Sequence, residues 1–275
     1  MSNFWVKSTI KCQNYQVGVG KMIDIHSHIL PGVDDGAQSI EDSIEMAKQA
    51  VNEGITKIIA TPHHQNGKYV NKKQDIIDRV LELNSLFSNK KIPLEVLPGQ
   101  ETRIFGELLE NLEKGEILTL NNLNYIFVEL PSGHVPRYTE KLLFDVQLQG
   151  LTPVIVHPER NAEIMENPNK LLNLVKKGAL TQVTAGSITG HFGKKIKKFS
   201  LDLIDANLTH FLASDAHNVS NRSFKIRESI SEIEKEFGSQ AVYYFQENAE
   251  LLIKGQAVYN QEPSQIKRRK FLGFF

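Results

Sequence analysis

Seven short apolar runs punctuate the chain, at residues 22–26, 57–61, 94–97, 125–130, 153–157, 180–184 and 210–214. Rich in Ile, Val and Leu, they are apolar almost throughout rather than alternating, as strands buried on both faces of a parallel sheet are. The stretches between them place apolar residues three and four apart, the mark of helices with one buried face. Ile44, Ala47, Ala50 and Val51 make one such face, and Ile76, Ile77, Val80, Leu81 and Leu83 make another. Ser39 ahead of Glu41 and Asp42 reads as a helix start, while Gly54, Gly150 and Gly178 stand where helices should end. Strands alternating with helices in this way predict a parallel sheet covered by helices.

The residues just beyond each strand select among such sheets. His26-Ser27-His28, Thr61-Pro62-His63-His64, His157-Pro158-Glu159-Arg160 and Asp215-Ala216-His217 each come directly after an apolar run. Glu101 follows the third strand through Pro98-Gly99-Gln100, and Glu129 and His134 flank the exit of the fourth. An open doubly wound sheet gathers its functional side chains at one switch point, whereas a barrel collects them from nearly every strand at one mouth. The pattern therefore predicts a closed seven-stranded α/β barrel forming a single domain. Of nine histidines, seven sit at strand exits, and only His191 and His210 do not. A chain that merely packed its histidines would scatter them.

Composition narrows the chemistry. Lys+Arg and Asp+Glu are both 32, so the net charge is zero, which argues against a global attraction to nucleic acid. No apolar stretch approaches the ~20 residues that span a bilayer. The single cysteine, Cys12, excludes an internal disulfide and a thiolate zinc cluster and fits a cytoplasmic protein. With Gly18 six residues on, it also lacks the arginine of a cysteinyl-phosphatase loop. Residues 1–21 lack the apolar core of a secretory signal and are set aside as an N-terminal extension.

Imidazole with carboxylate and no thiolate suits manganese, iron or zinc. Adjacent divalent ions can hold both sides of an in-line displacement at phosphorus. Arg160 and Arg222, close behind two of the ligand strings, point the same way, because the guanidinium fork matches phosphate oxygens. Asp34-Asp35-Gly36, after the Pro31-Gly32 turn, can fold a carboxylate back over the same mouth.

These residues, in this order, resemble the polymerase-and-histidinol-phosphatase (PHP) superfamily of metal-dependent phosphoesterases. Within it, the stretch Ile23-Asp24-Ile25-His26-Ser27-His28-Ile29-Leu30-Pro31-Gly32-Val33-Asp34-Asp35-Gly36 is very similar to the opening of the bacterial CpsB/YwqE-type tyrosine-protein phosphatases. The likeness covers roughly residues 22–255 and implies a distorted TIM-like (β/α)7 barrel with three divalent ions, manganese in the first place. It implies that His26, His28, Glu101 and Asp215 hold one ion, and that Asp35, His63 and His217 hold another. Glu101 would bridge to a third held by His157, with His134 as a further ligand. Arg160 and Arg222 would grip the phosphate, and water activated at the metals would attack phosphorus without a covalent phospho-enzyme. The implied substrate is phosphotyrosine on a membrane-associated bacterial tyrosine autokinase, and the implied role is control of capsular or exopolysaccharide synthesis.

Three other readings compete: a histidinol-phosphate-type small-molecule phosphatase, a nuclease of the same superfamily, and an inactive scaffold. The neutral charge and the lack of aromatic-basic interleaving near the motifs weigh against the nuclease. A homo-oligomer is compatible with the chain. Residues 256–275 form a separate tail in which Lys267-Arg268-Arg269-Lys270 precedes Phe271, Leu272, Phe274 and Phe275. A charged solvated end is the first expectation for it, and weak contact with a membrane surface the second.

Overall fold

The computed structural model describes residues 22–266. The extension 1–21 and the basic-aromatic end 267–275 lie outside the described residues. The nine strand segments are β1 (Met22–Ser27), β2 (Ile55–Ala60), β3 (His63–His64), β4 (Glu95–Pro98), β5 (Glu101–Arg103), β6 (Tyr125–Glu129), β7 (Thr152–Val156), β8 (Leu180–Thr184) and β9 (Phe211–Ala213). All pair in parallel, in the orders β1-β2-β4 and β3-β5-β6-β7-β8-β9.

The two sheets are one barrel with two interrupted staves. β3 continues β2 across Thr61-Pro62, where proline lacks the N–H that a ladder needs, and β5 continues β4 across Gly99-Gln100. A Cβ on Gly99 would lie 2.5 Å from Ile59 Cγ2, so only glycine lets the two staves approach here. Counting each interrupted pair once leaves seven staves, matching the seven apolar runs. Closure runs from β9 to β1: the Asp215 amide donates to the His26 carbonyl at 2.9 Å, and the His28 amide to the Ala216 carbonyl at 2.8 Å. Asp24, fully buried, reinforces the seam by accepting from the Ser214 amide at 2.9 Å and its hydroxyl at 2.5 Å.

Helices cover the outside: α1 (Ile40–Glu53), α2 (Lys73–Asn89), α3 (Leu108–Glu113), α4 (Thr139–Leu148), α5 (Ala162–Glu166), α6 (Asn169–Lys176), α7 (Ala185–Thr189), α8 (Lys194–Asp205), α9 (Ile226–Phe237) and α10 (Ser239–Ile253). Ser39 caps α1 with Asp42 in a reciprocal capping box, and Gly54 ends it in the left-handed region. Gly150 and Gly178, after α4 and α6, also have positive φ. Strand alternation divides the core. Ile126, Val128 and Ile155 face the helices, while Tyr125, Phe127, Val154 and Val156 fill the barrel interior with Ile25, Ile59 and Phe211. At the N-terminal ends of the strands, 256–264 straps the barrel floor: the Tyr125 hydroxyl donates to the Gln256 carbonyl at 2.6 Å, and the Ser264 amide to the Ala206 carbonyl at 2.9 Å. The opposite end stays open. Among the described residues no helix is long and apolar enough to cross a membrane.

Candidate metal centre

The open end collects ligands from six of the seven staves. His26 and His28 leave β1, and His63 lies in β3. Glu101 opens β5, Glu129 ends β6, His157 follows β7, and Asp215 and His217 follow β9. Two of the turns hold strained backbone, since His157 and Asp215 have φ of 36° and 54°, a region that side chains other than glycine rarely enter.

Glu101, wholly buried, is the hub. Its Oε2 lies 3.5 Å from His26 Nε2, 3.3 Å from His28 Nε2 and 2.8 Å from His63 Nδ1. Its Oε1 lies 2.7 Å from His157 Nε2. Asp215 Oδ1 faces the same two β1 imidazoles at 3.5 and 3.3 Å. Asp35, on the loop before α1, reaches His63 and His217, both at 3.4 Å. Glu129 Oε2 lies 3.7 Å from His63 Nδ1. Three sets of donor atoms converge closely enough to share a cation: His28, Asp35, His63 and His217; His26, His28 and Glu101; and His63, Glu101 and Glu129.

The donor set fits metal ions on its own evidence. His26 Nε2 and His28 Nε2 stand 3.3 Å apart, and His63 Nδ1, Glu101 Oε2 and His217 Nε2 are buried without a well-formed hydrogen bond. Ligand atoms ~2.0–2.2 Å from one cation stand ~3.0–3.5 Å from each other, the spacing seen here. Left to themselves, such orphaned atoms would cost stability.

Neighbours aim the ligands. Asp34 holds His28 Nδ1 at 2.6 Å and accepts from the amides of Gly36 and His63. A Cβ on Gly36 would lie 2.1 Å from the His28 carbonyl oxygen, so this turn needs glycine to close on β1. Gln182 of β8 supplies an oxygen 2.9 Å from His26 Nδ1, and Arg103 fixes Glu129 through two bonds of 2.9 and 2.8 Å. These contacts leave the Nε2 atoms of both β1 histidines pointing at Glu101.

The electrostatics match the geometry. Burial opposes the charge of Glu101, but His63, His26 and His157 outweigh it and hold the carboxyl well below its ordinary range. Burial also opposes the charge of Asp215, which Arg160 and His26 drive well below its usual value. Burial and the nearby Glu101 raise Glu129 instead. Burial, with Arg160 beside it, lowers His157 to about 4, and burial with His28 does the same for His217. Both imidazoles are thus neutral near pH 7, the form in which histidine binds metal.

Arg160 and Arg222 meet at the rim. Their Nη2 atoms donate to the same oxygen, Asp215 Oδ2, at 2.7 and 3.2 Å. They line one cavity of about 250 Å³ with His63, Glu129, His157 and Asp215.

Two histidines at strand exits stay out of the cluster. His64 is one residue out of phase with His63 and is buried on the other side of β3. His134 is exposed, beyond the turn at Ser132-Gly133, where Asn161 Nδ2 holds the backbone through the Pro131 and His134 carbonyls. Glu129, from the same strand exit, is the residue that stands with His63 and Glu101 in a donor group. The alternation of β6 contained that signal, because Glu129 is in phase with the interior residues Tyr125 and Phe127. Asp34 had a weaker one, as the partner of Asp35 in a tight turn.

Comparisons with known proteins fit this geometry. The family model described as "Capsular polysaccharide synthesis, CpsB/CapC" matches residues 22–254. Tyrosine-protein phosphatase YwqE of Bacillus subtilis (strain 168) is 55% identical over 254 residues, covering 92% of this chain and all of that protein. Tyrosine-protein phosphatase CpsB of Streptococcus pneumoniae is 30% identical over 243 residues, covering 86% of this chain and all of that one. A chain from the crystal structures of YwqE from B. subtilis and CpsB from S. pneumoniae, described as unique metal-dependent tyrosine phosphatases, superposes with a TM-score of 0.88. It is 54% identical and covers 90% of this chain and 100% of that chain.

Proposed function

We propose, on the premise that this chain belongs to the CpsB/CapC family of capsular polysaccharide synthesis, that it is a metal-dependent protein-tyrosine phosphatase. One observation carries the reading: donor groups converging on Glu101 share a cavity with two arginines anchored on one oxygen of Asp215. That combination suits a phosphomonoester held over a multinuclear centre.

In this reading His26, His28, Glu101 and Asp215 hold one divalent ion, and Asp35, His63 and His217 hold a second. Glu101, Glu129 and His157 hold a third, with His63 at its edge. Manganese is the assignment, and iron and zinc share its ligand chemistry. Bound ions supply Lewis-acid charge toward phosphoryl oxygens and bring the pKa of water near neutrality. The chain's own residues orient the ester. Arg160 and Arg222 present planar donors to the phosphate from the rim, Arg103 steadies Glu129, and Asp34 and Gln182 fix the two β1 imidazoles. Among the described residues the cavity is lined by imidazole, carboxylate and guanidinium groups and by no cysteine, which favours direct attack by water.

The substrate is assigned as a phosphotyrosyl protein in the cytoplasm, specifically a membrane-associated tyrosine kinase of capsular polysaccharide export. The names of the relatives support the phosphotyrosyl substrate, and the family description supports the link to capsular polysaccharide synthesis. Rates on a phosphotyrosyl peptide, histidinol phosphate and a phosphoseryl peptide, before and after chelation and manganese return, test the proposal. Rapid, chelator-sensitive turnover of the phosphotyrosyl peptide alone is the expected result. Turnover of histidinol phosphate alone would move the chain to the small-molecule phosphatases.

A further inference from the structure

A ring that belongs to none of the ligand strings lies against one of the two rim arginines. Arg160 CZ sits 5.3 Å from the centroid of Phe192, within the range of a cation–π contact. Phe192 stands on the turn after α7, half-buried, with Gly190 and Gly193 in the left-handed region on either side. The His191 amide donates to the Gly186 carbonyl at 2.9 Å, and the Gly193 amide to the Gly190 carbonyl at 2.9 Å, so the turn is closed on itself. Gly186 is the seat of the ring: a Cβ there would lie 3.1 Å from Phe192 Cε2.

The turn is tied to the arginine from a second direction. Glu159, next to Arg160 in the 3₁₀ turn Pro158–Arg160, is fully buried. Its Oε1 accepts from the Thr184 amide at 3.0 Å and the Ser187 hydroxyl at 2.7 Å, at the start of α7. One residue of the dipeptide thus anchors the helix whose following turn packs on the other. Arg160 needs such support. Among the described residues its only side-chain hydrogen bond is the one to Asp215, and the Arg222 guanidinium competes for the same oxygen. A long side chain held at one atom beside a like charge keeps rotamer freedom, and a ring beside its CZ restricts that freedom.

We propose that Phe192 is a positioning residue for the proposed reaction: its ring holds the Arg160 guanidinium with its unengaged N–H groups toward the cavity. The inference rests on the phosphatase reading of the site. Phe192 acts through Arg160 and not on the reacting atoms, so its effect depends on the arginine being there.

A double-mutant cycle decides it. Phe192→Leu, of similar bulk but without a π face, is made in the wild type and in Arg160→Ala, with Phe192→Tyr as the conservative variant. Each is assayed for kcat and KM on p-nitrophenyl phosphate and, by calorimetry on manganese-loaded protein, for inorganic phosphate binding. In the wild-type background Phe192→Leu should lower kcat by about tenfold and weaken phosphate binding, while Phe192→Tyr restores both to within about twofold. In Arg160→Ala the same leucine change should alter neither quantity. Gly186→Ala, which crowds the edge of the ring with Phe192 retained, should shift both quantities in the same direction by less. Equal losses in both backgrounds, or wild-type kcat and phosphate affinity in Phe192→Leu, would overturn the assignment. A wild type that binds phosphate but hydrolyses no ester would sink the phosphatase reading, while the phosphate affinities would still decide the role of Phe192.

Discussion

Asp34 Oδ2 lies 2.6 Å from His28 Nδ1, and both side chains are buried. Burial opposes protonation of His28, yet Asp34, Asp215 and Glu101 raise its pKa well above the ordinary value. The Asp34 carboxylate, accepting from Nδ1–H, fixes the ring's orientation, and a cation that displaces the Nε2 proton would meet a ring already held in the matching tautomer. An amide in place of the Asp34 carboxylate keeps the shape but weakens the basicity and aim of the ligand. Asp34→Asn should lower metal affinity by ~10–100-fold, read as a higher manganese concentration for half-maximal activity, with a normal fold by circular dichroism. An unchanged metal titration would show that His28 needs no such partner.

Glu129 and His134 make opposite predictions five residues apart. Glu129 lies 3.7 Å from His63 and in phase with the barrel interior, whereas His134 is exposed. Glu129→Gln should reduce the metal retained per chain and lower turnover by at least about tenfold, as loss of a ligand does. His134→Ala should leave both near wild type. Metal content by mass spectrometry after dialysis measures the difference, and a metal-depleted His134→Ala would return that histidine to the centre.

These two residues also mark what could be read from the sequence. The seven staves were legible because burial on both faces writes itself into continuous apolar runs. His26, His28, His63, His157, Asp215 and His217 were legible because each directly follows such a run. The choice between Glu129 and His134 was not, since Asn161, from another loop, sets how the β6 exit turns. Asp34 and Gln182 act only through the imidazoles that they hold, and Phe192 only through Arg160. Such contacts link positions 6 to 156 residues apart, and beyond the Asp34-Asp35 turn no local pattern announces them. Interruption of β2 and β4 at Thr61-Pro62 and Gly99-Gln100 was hidden for a similar reason, as it shows only when neighbouring staves are aligned.

Far from the centre, His210 gives a pH prediction. Nδ1 accepts from the Thr181 amide at 3.1 Å and Nε2 faces Asn260 Oδ1 at 3.1 Å, so the neutral ring links the barrel floor to the strap. Burial lowers its pKa from 6.5 to about 4. The unfolded chain therefore binds the proton first as pH falls, and stability is lost between about pH 6.5 and 4 with no penalty above that window. Between pH 7.5 and 5 this single site should cost about 2 kcal/mol. Unfolding free energies from urea titrations at the two pH values should differ less in His210→Asn by that amount. Equal pH slopes in the two proteins would place the acid sensitivity elsewhere.

The two rim arginines should separate catalysis from metal binding. Arg160 and Arg222 donate to Asp215 Oδ2 but belong to none of the three donor groups, so neither removal takes away a ligand atom. What is lost is charge facing the phosphate, and a preorganised donor to a developing anion is worth ~2.7–4 kcal/mol. Arg160→Ala and Arg222→Ala should each retain manganese while kcat falls by ~10²–10³-fold. Lysine at either position should recover only part of the rate, because an ammonium keeps the charge but not the planar fork. Arg222 carries a second tie, its Nη1 lying 3.5 Å from Asp35 Oδ2. Its removal should therefore also loosen the Asp35 loop and raise the manganese needed for half-maximal activity, a shift that Arg160→Ala should not show. Metal titrations of the two alanine variants, run beside kcat, would exclude the division of roles if both curves moved together.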